Sequence, residues 1–131
     1  MKTLIVEDDY VSRLVLQTIL GVYGPYFLAE DGQKAVEAVR VALRLLRPFD
    51  LICLDIMMPK MNGQEALRQI RELEEANGRG PERRAKIIMI TAIADRDNVI
   101  EASQNQCDYY LVKPFDKTKL LKELHKLGLV P

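Results

Sequence analysis

Four separated apolar runs each end in a side chain that could do chemistry. Glu7, Asp8 and Asp9 follow Leu4-Ile5-Val6, Asp55 follows Leu51-Ile52-Cys53-Leu54, Thr91 follows Ile87-Ile88-Met89-Ile90, and Lys113 follows Tyr110-Leu111-Val112. Carboxylates, one hydroxyl and one ammonium brought into one pocket suit a divalent cation and a phosphoryl group. Hard oxygen ligands with no Cys or His beside them favour Mg2+, which keeps several waters and is completed by a phosphate oxygen.

Each residue also has a plainer reading. Three adjacent acids at a strand-to-helix junction repel one another unless a cation is present, yet Asp at a helix start is a favoured N-cap. Taken alone, Glu7-Asp8-Asp9 leaves the two readings evenly matched; together with Asp55, metal binding is the better one. Asp55 could cap a turn or, beside a bound cation, act as a nucleophile towards phosphorus. The cation would then offset charge on the incoming phosphoryl oxygens, and positioning would supply most of the catalysis. Thr91 alone carries little weight, because a β-branched residue suits a strand. Lys113 can pair with a carboxylate or a phosphate as a point charge, and Lys113–Pro114 is open to either peptide isomer.

These groups converge only if the apolar runs are parallel strands. After the first run, Val11, Leu14, Val15, Thr18 and Ile19 recur at helical spacing, closed by Gly21 and Gly24-Pro25. Tyr26–Ala29 reads as a second short strand, Asp31-Gly32 as a turn, and about Gln33–Leu46 as a long amphipathic helix ended by Pro48. The strand Leu51–Leu54 leads through a loop, 55–63, to a helix carrying Leu67, Ile70 and Leu73. Asn77-Gly78-Arg79-Gly80-Pro81 is a loop by composition. Beyond it lie the strand Ile87–Ile90, a weakly apolar helix from about Asp97 to Gln104 and the strand Tyr110–Val112. A helix with Leu120, Leu121, Leu124 and Leu127 closes the chain, N-capped by Asp116. This alternation implies a parallel sheet covered on both faces. Ligands of such sheets bind beyond the C-terminal strand ends, where all four polar groups lie.

The totals bound the rest. A chain of 131 residues, 48% hydrophobic, suits one compact domain over 1–131. Lys+Arg and Asp+Glu are equal at 19 each, which gives no argument for nucleic acid or an anionic membrane. No apolar stretch approaches the ~20 residues that span a bilayer, and the N-terminus reaches acidic residues too soon for a secretory signal. Cys53 and Cys107, neither closely spaced nor joined by a His cluster, read as buried thiols of a reduced, cytoplasmic chain. His125, on the last helix, reads as a surface residue.

At the level of motifs the chain resembles the receiver domains of two-component response regulators, the CheY-like family. The carriers are Leu4-Ile5-Val6-Glu7-Asp8-Asp9, Asp50-Leu51-Ile52-Cys53-Leu54-Asp55-Ile56-Met57-Met58-Pro59, Met61-Asn62-Gly63, Ile90-Thr91-Ala92 and Tyr110-Leu111-Val112-Lys113-Pro114-Phe115. The resemblance covers essentially the whole sequence. It implies a doubly wound α/β fold, flavodoxin-like, with a five-stranded parallel sheet in the order 2-1-3-4-5 and five flanking helices. By the same resemblance Asp55 is the phosphoacceptor and Asp8 a direct Mg2+ ligand. Glu7 would hold the ion through water, and the Met57 backbone carbonyl would complete the protein's share. Thr91 and Lys113 would bind phosphoryl oxygens, and Tyr110 matches the aromatic switch that swings inward when Thr91 closes on the phosphate. The implied partners are a histidine kinase or phosphotransfer protein as donor and a downstream protein target reached through the fourth helix, fifth strand and fifth helix.

The chain departs from the family pattern in three places. Glu7 replaces a commoner Asp. The segment between Gly32 and Asp50 is longer by about one helical turn, with Val41, Ala42, Leu43, Leu45 and Leu46 expected to pack and Arg40, Arg44 and Arg47 to snorkel rather than form a docking surface. Gln106-Cys107 stands where Gly-Ala is common, so a left-handed helix end is expected at Asn105. A phosphoaspartate hydrolase of the haloacid dehalogenase type would need a general acid beside its nucleophile, and Met57 offers none. A dinucleotide-binding domain would need glycines in place of Glu7-Asp8-Asp9, and a receiver-like scaffold that is never phosphorylated would not need the full set of acids, Thr91 and Lys113. The expectation is therefore a signalling switch that catalyses only its own phosphorylation and slow dephosphorylation. With no effector segment in view, it is expected to stand alone.

Overall fold

Leu51-Ile52-Cys53-Leu54 is apolar at every position because both faces of the strand it forms are covered. The computed structural model describes residues 1–131. Its strands are β1 (Thr3–Val6), β2 (Tyr26–Ala29), β3 (Leu51–Leu54), β4 (Lys86–Thr91) and β5 (Tyr109–Val112). All pair in parallel in the order β2-β1-β3-β4-β5. Between them run α1 (Tyr10–Leu20), α2 (Gly32–Arg44), α3 (Gly63–Ala76) and α4 (Arg96–Gln104), with α5 (Lys117–Lys126) following β5. Strand alternation sends Leu4, Ile52 and Met89 into a core shared with α2, α3 and Ala102 of α4. The neighbours Ile5, Cys53 and Ile88 face a second core with Leu16 and Leu20 of α1 and Leu120 and Leu124 of α5. The expected fold and strand order are thus present.

Every α-helix starts on an Asx side chain that accepts the backbone N–H three residues on: Asp9, Asp31, Asn62, Asp95 and Asp116. Each such cap contributes about 1 kcal/mol and fixes where strand-end loops become helix. Asp31 therefore begins α2 rather than merely turning the chain, and Asp116 caps α5 as expected.

Several boundaries differ from the sequence reading. α2 ends at Arg44 rather than Leu46, because Leu46 takes a left-handed φ of 58° while its N–H and that of Arg47 bond back to Leu43 and Ala42. Ala42 and Leu43 pack in the core, but Val41, Leu45 and Leu46 are exposed, so the extension of α2 packs only in part. The left-handed residue after α4 is Gln106, at φ 69°, and not Asn105. Gln106 N–H bonds Ser103 O and Cys107 N–H bonds Ala102 O, which places the turn one residue later than propensity suggests. Cys53 is buried as expected, whereas Cys107 is only half-buried. No helix is long and apolar enough to cross a membrane.

Candidate functional site

Parallel pairing brings the C-terminal ends of β1, β3, β4 and β5 to one edge. Asp55 N–H bonds Val6 O at 3.1 Å and Lys113 N–H bonds Thr91 O at 2.9 Å, so the sheet ladder itself sets the spacing of the polar residues. The loop after Asp55 doubles back tightly, with Gly63 N–H on Ile56 O at 2.9 Å. A Cβ on Gly63 would collide with the Asp55 carbonyl oxygen, so this close approach requires glycine.

At that edge Glu7, Asp8 and Asp55 each present a carboxylate oxygen, all within 4.8 Å of one another. Two such charges at that spacing repel by roughly 3 kcal/mol at an effective dielectric of about 20. One ammonium answers three carboxylates: Lys113 Nζ stands 2.9 Å from Glu7 Oε2 and 3.0 Å from Asp55 Oδ2. Glu7 and Asp55 are buried and Asp8 is exposed, which puts Asp8 at the mouth. Burial, with the Asp55 charge adding to it and Lys113 opposing, pushes the Glu7 pKa up to about 7. For Lys113, burial lowers the pKa but the two carboxylates outweigh it, and the net shift is upward. The donor set is all hard oxygen with no sulfur or imidazole, so it fits a hard divalent cation that replaces part of the missing positive charge.

Of the three adjacent acids, Asp9 is the helix cap, with Ser12 N–H on Oδ2 at 2.9 Å. Both readings of that acidic run are therefore realised, on different residues. The Met57 side chain is exposed and its N–H donates to Asp55 Oδ1 at 3.3 Å, which orients the carboxylate. Thr91 is fully buried at the end of β4, and its hydroxyl accepts Ile93 N–H at 3.3 Å rather than bonding a carboxylate. Tyr110, half-buried, donates its hydroxyl proton to Ile93 O at 2.5 Å, tying β5 to the segment just after Thr91. The Lys113–Pro114 bond is cis. His125 is exposed, as expected of a surface residue.

Sequence reasoning missed one connected residue. Gln64, buried in the first turn of α3, donates from Nε2 to Asn98 O at 2.8 Å and Asn98 Oδ1 at 3.2 Å, bridging the Asp55 loop to α4. Its position directly after Asn62-Gly63, where an apolar core residue would pack, is the signal that could have found it.

Comparison with known proteins agrees with this geometry. Residues 3–125 match the family model of the response regulator receiver domain. The chemotaxis protein CheY of Thermotoga maritima is 32% identical over 97% of this chain and 97% of its own length. A probable histidine kinase 2 of Oryza sativa is 33% identical over 95% of this chain, which spans only 12% of that protein. Among solved structures, a chain of the CheX-CheY-BeF3-Mg+2 complex from Borrelia burgdorferi superposes with a TM-score of 0.82 at 28% identity. That match covers 98% of this chain and 89% of the other. With the sheet order, the acidic edge and the family model in agreement, the chain belongs to the response regulator receiver domains, phosphorylation-activated switches of two-component signalling.

Proposed function

We propose that Asp55 is the phosphoacceptor of this receiver and that residues 1–131 act as one switch domain. The observation that carries the reading is the under-compensated edge, where Glu7, Asp8 and Asp55 lie within 4.8 Å of one another with Lys113 as their one ammonium. Asp8 and Asp55, with Glu7 through water and the Met57 carbonyl, would hold Mg2+. When bound, Mg2+ supplies charge neutralisation of the phosphoryl oxygens.

The chain's own residues do the rest. A phosphohistidine on a histidine kinase or phosphotransfer protein approaches the exposed side of the site, where Asp8 lies. An Asp55 carboxylate oxygen forms the new O–P bond while the N–P bond breaks and the imidazole leaves with the electron pair. Lys113 turns from Asp55 Oδ2 to a phosphoryl oxygen and keeps its bond to Glu7. The Thr91 hydroxyl exchanges its contact with Ile93 N–H for another phosphoryl oxygen. That exchange loosens the segment on which the Tyr110 hydroxyl rests, so Tyr110 and α4 shift population and the α4-β5-α5 surface changes for a downstream protein. Met57 carries no proton to give or take, so the acyl phosphate decays slowly, as a signal requires. A cytoplasmic setting agrees with the two free thiols.

Incubation with acetyl phosphate and Mg2+, followed by intact-mass measurement, tests this. One phosphoryl increment is expected on the wild type and none on Asp55→Asn. An adduct that persists in Asp55→Asn, or catalytic turnover without any adduct, sinks the assignment.

A further inference from the structure

The exposed part of α2 lies beside the free edge of the sheet and forms a groove with it. β2 is the outermost strand, and Phe27 and Leu28 on it are 49% and 45% exposed. Opposite them, Ala38 and Val41 on one face of α2 and Leu45 just past its end follow one another at helical spacing, and Phe49 closes the floor. The groove is open and shallow, with a volume of about 560 Å³. Val41 is 39% exposed and Leu45 63%, so this apolar surface is not spent on the chain's own core.

Its rim is cationic. Lys2 Nζ lies 5.2 Å and 4.5 Å from the ring centroids of Phe27 and Phe49 and donates to Arg47 O, with no carboxylate partner of its own. Arg47 likewise pairs with no carboxylate, and Lys34 keeps only an exposed 3.5 Å contact with Glu30. The single acid of the lining, Glu37, is already engaged by Arg40. An apolar floor beside Lys2 and Arg47, which pair with no carboxylate, and Lys34, whose one partner is the exposed Glu30, is complementary to an apolar stripe flanked by carboxylates.

We propose that the groove between α2 and β2 docks an acidic amphipathic helix of a partner protein, separately from the phosphorylated edge. A second copy of this chain would bring Lys2, Lys34 and Arg47 against themselves across a two-fold axis, which repels. A bilayer meets protruding side chains, whereas this surface is concave and admits side chains from the partner. Strand addition to β2 is disfavoured because the strand has four residues and Pro25 precedes it. A helix laid along α2 places its apolar anchors between Leu45 and Phe27 and its carboxylates near Arg47 and Lys34.

The test is an NMR titration of the ¹⁵N-labelled full chain with a synthetic helix of about 15 residues. The peptide carries Leu at i, i+3, i+4 and i+7, Glu on the two flanks of that stripe and Ala elsewhere, and circular dichroism checks its helicity. Saturable shifts are expected at residues 26–28 and 34–47. Affinity should drop about tenfold in Leu45→Asp and severalfold in Arg47→Glu, and should weaken as salt rises from about 0.05 to about 0.3 M. Both substituted side chains lie outside the core, and thermal melts confirm that the variants fold. Asp55→Asn binds the peptide unchanged, so this result stands or falls apart from the phosphoacceptor assignment. The proposal is overturned by an absence of saturable shifts at millimolar peptide, or by equal binding of a peptide with Lys for Glu. It is equally overturned by binding to phosphatidylglycerol vesicles without peptide binding, or by dimerisation through these residues.

Discussion

At the C-terminal ends of β1, β3 and β5, Glu7, Asp8 and Asp55 share one ammonium, that of Lys113. At the N-terminal ends of β4 and β5, Glu74 and Asp108 share one guanidinium, that of Arg71. The second cluster completes its bonding from the backbone. Arg71 also donates to Ala85 O at 2.8 Å and to Gln106 O at 2.9 and 3.1 Å. Glu74 accepts Ala85 N–H at 2.7 Å, and Asp108 accepts Ile87 N–H at 2.8 Å. The first cluster receives little such help; Met57 and Asp9 N–H groups reach it at 3.3 and 3.2 Å. Charge that the fold satisfies from its own backbone reads as architecture, and charge that it leaves short of a cation marks a candidate site.

The largest stability effect should therefore lie far from the chemistry. Arg71→Met strands the buried Glu74 carboxylate and the partly buried one of Asp108, and a loss of about 3 kcal/mol in urea unfolding is expected. The folded fraction should still take up phosphate on Asp55. A loss below 1 kcal/mol would show that the backbone bonds alone hold that end together.

The two clusters also differ in how far the sequence reveals them. Asp55, Thr91 and Lys113 were legible because each terminates an apolar run, and parallel strands carry such ends to one edge whatever the loops do. Arg71 and Glu74, three residues apart on α3, look like any exposed helical ion pair. Nothing local shows that Asp108 and Ala85, from two distant loops, close over them. Gln106 follows the same logic. Asn has the better left-handed propensity, but the Arg71 guanidinium grips Gln106 O and fixes the turn there. Tertiary bonds overrode a local preference, as exposure overrode apolar composition at Leu45 and Leu46.

Smaller effects sharpen the contrast by their sign. Mg2+ at about 100 times its Kd should stabilise the wild type by about 2.7 kcal/mol. Thermal melts with and without chelator read this directly, and Asp55→Asn should retain only a fraction of the gain. An equal gain in that variant would place the ion elsewhere. Removing one acid from the crowded edge relieves repulsion, so Asp8→Asn should stabilise the fold without Mg2+ by under about 1 kcal/mol, seen as a slightly higher melting temperature, and weaken the Mg2+ response. The matching change at the other end, Glu74→Gln, should lower it, because Ala85 N–H and Arg71 both lose a charged partner. Two changes of the same sign would erase the distinction between the clusters.

The smallest effect concerns α4, which lies between the two ends. Its N-terminal side adjoins the Thr91–Ile93 segment and is bridged by Gln64 to the Asp55 loop. The turn just past its C-terminal end, at Gln106, is held by Arg71. Phosphorylation should thus move the helix about a fixed tail. Hydrogen exchange at residues 93–98 should change on treatment with acetyl phosphate and Mg2+, while residues 103–108 change little. Cys107 supplies a second probe on the fixed end. Burial, with the charge of Asp108, raises its pKa, so alkylation by iodoacetamide is expected to be slow. That rate should stay within about twofold on phosphorylation but rise clearly in Arg71→Met, since local opening then exposes the thiol. Cys53, buried and with its pKa pushed up to about 12, should stay unmodified in the folded protein and serve as the internal control. Equal exchange changes at both ends of α4 would mean that the guanidinium does not hold its tail, and that the helix moves as a free body.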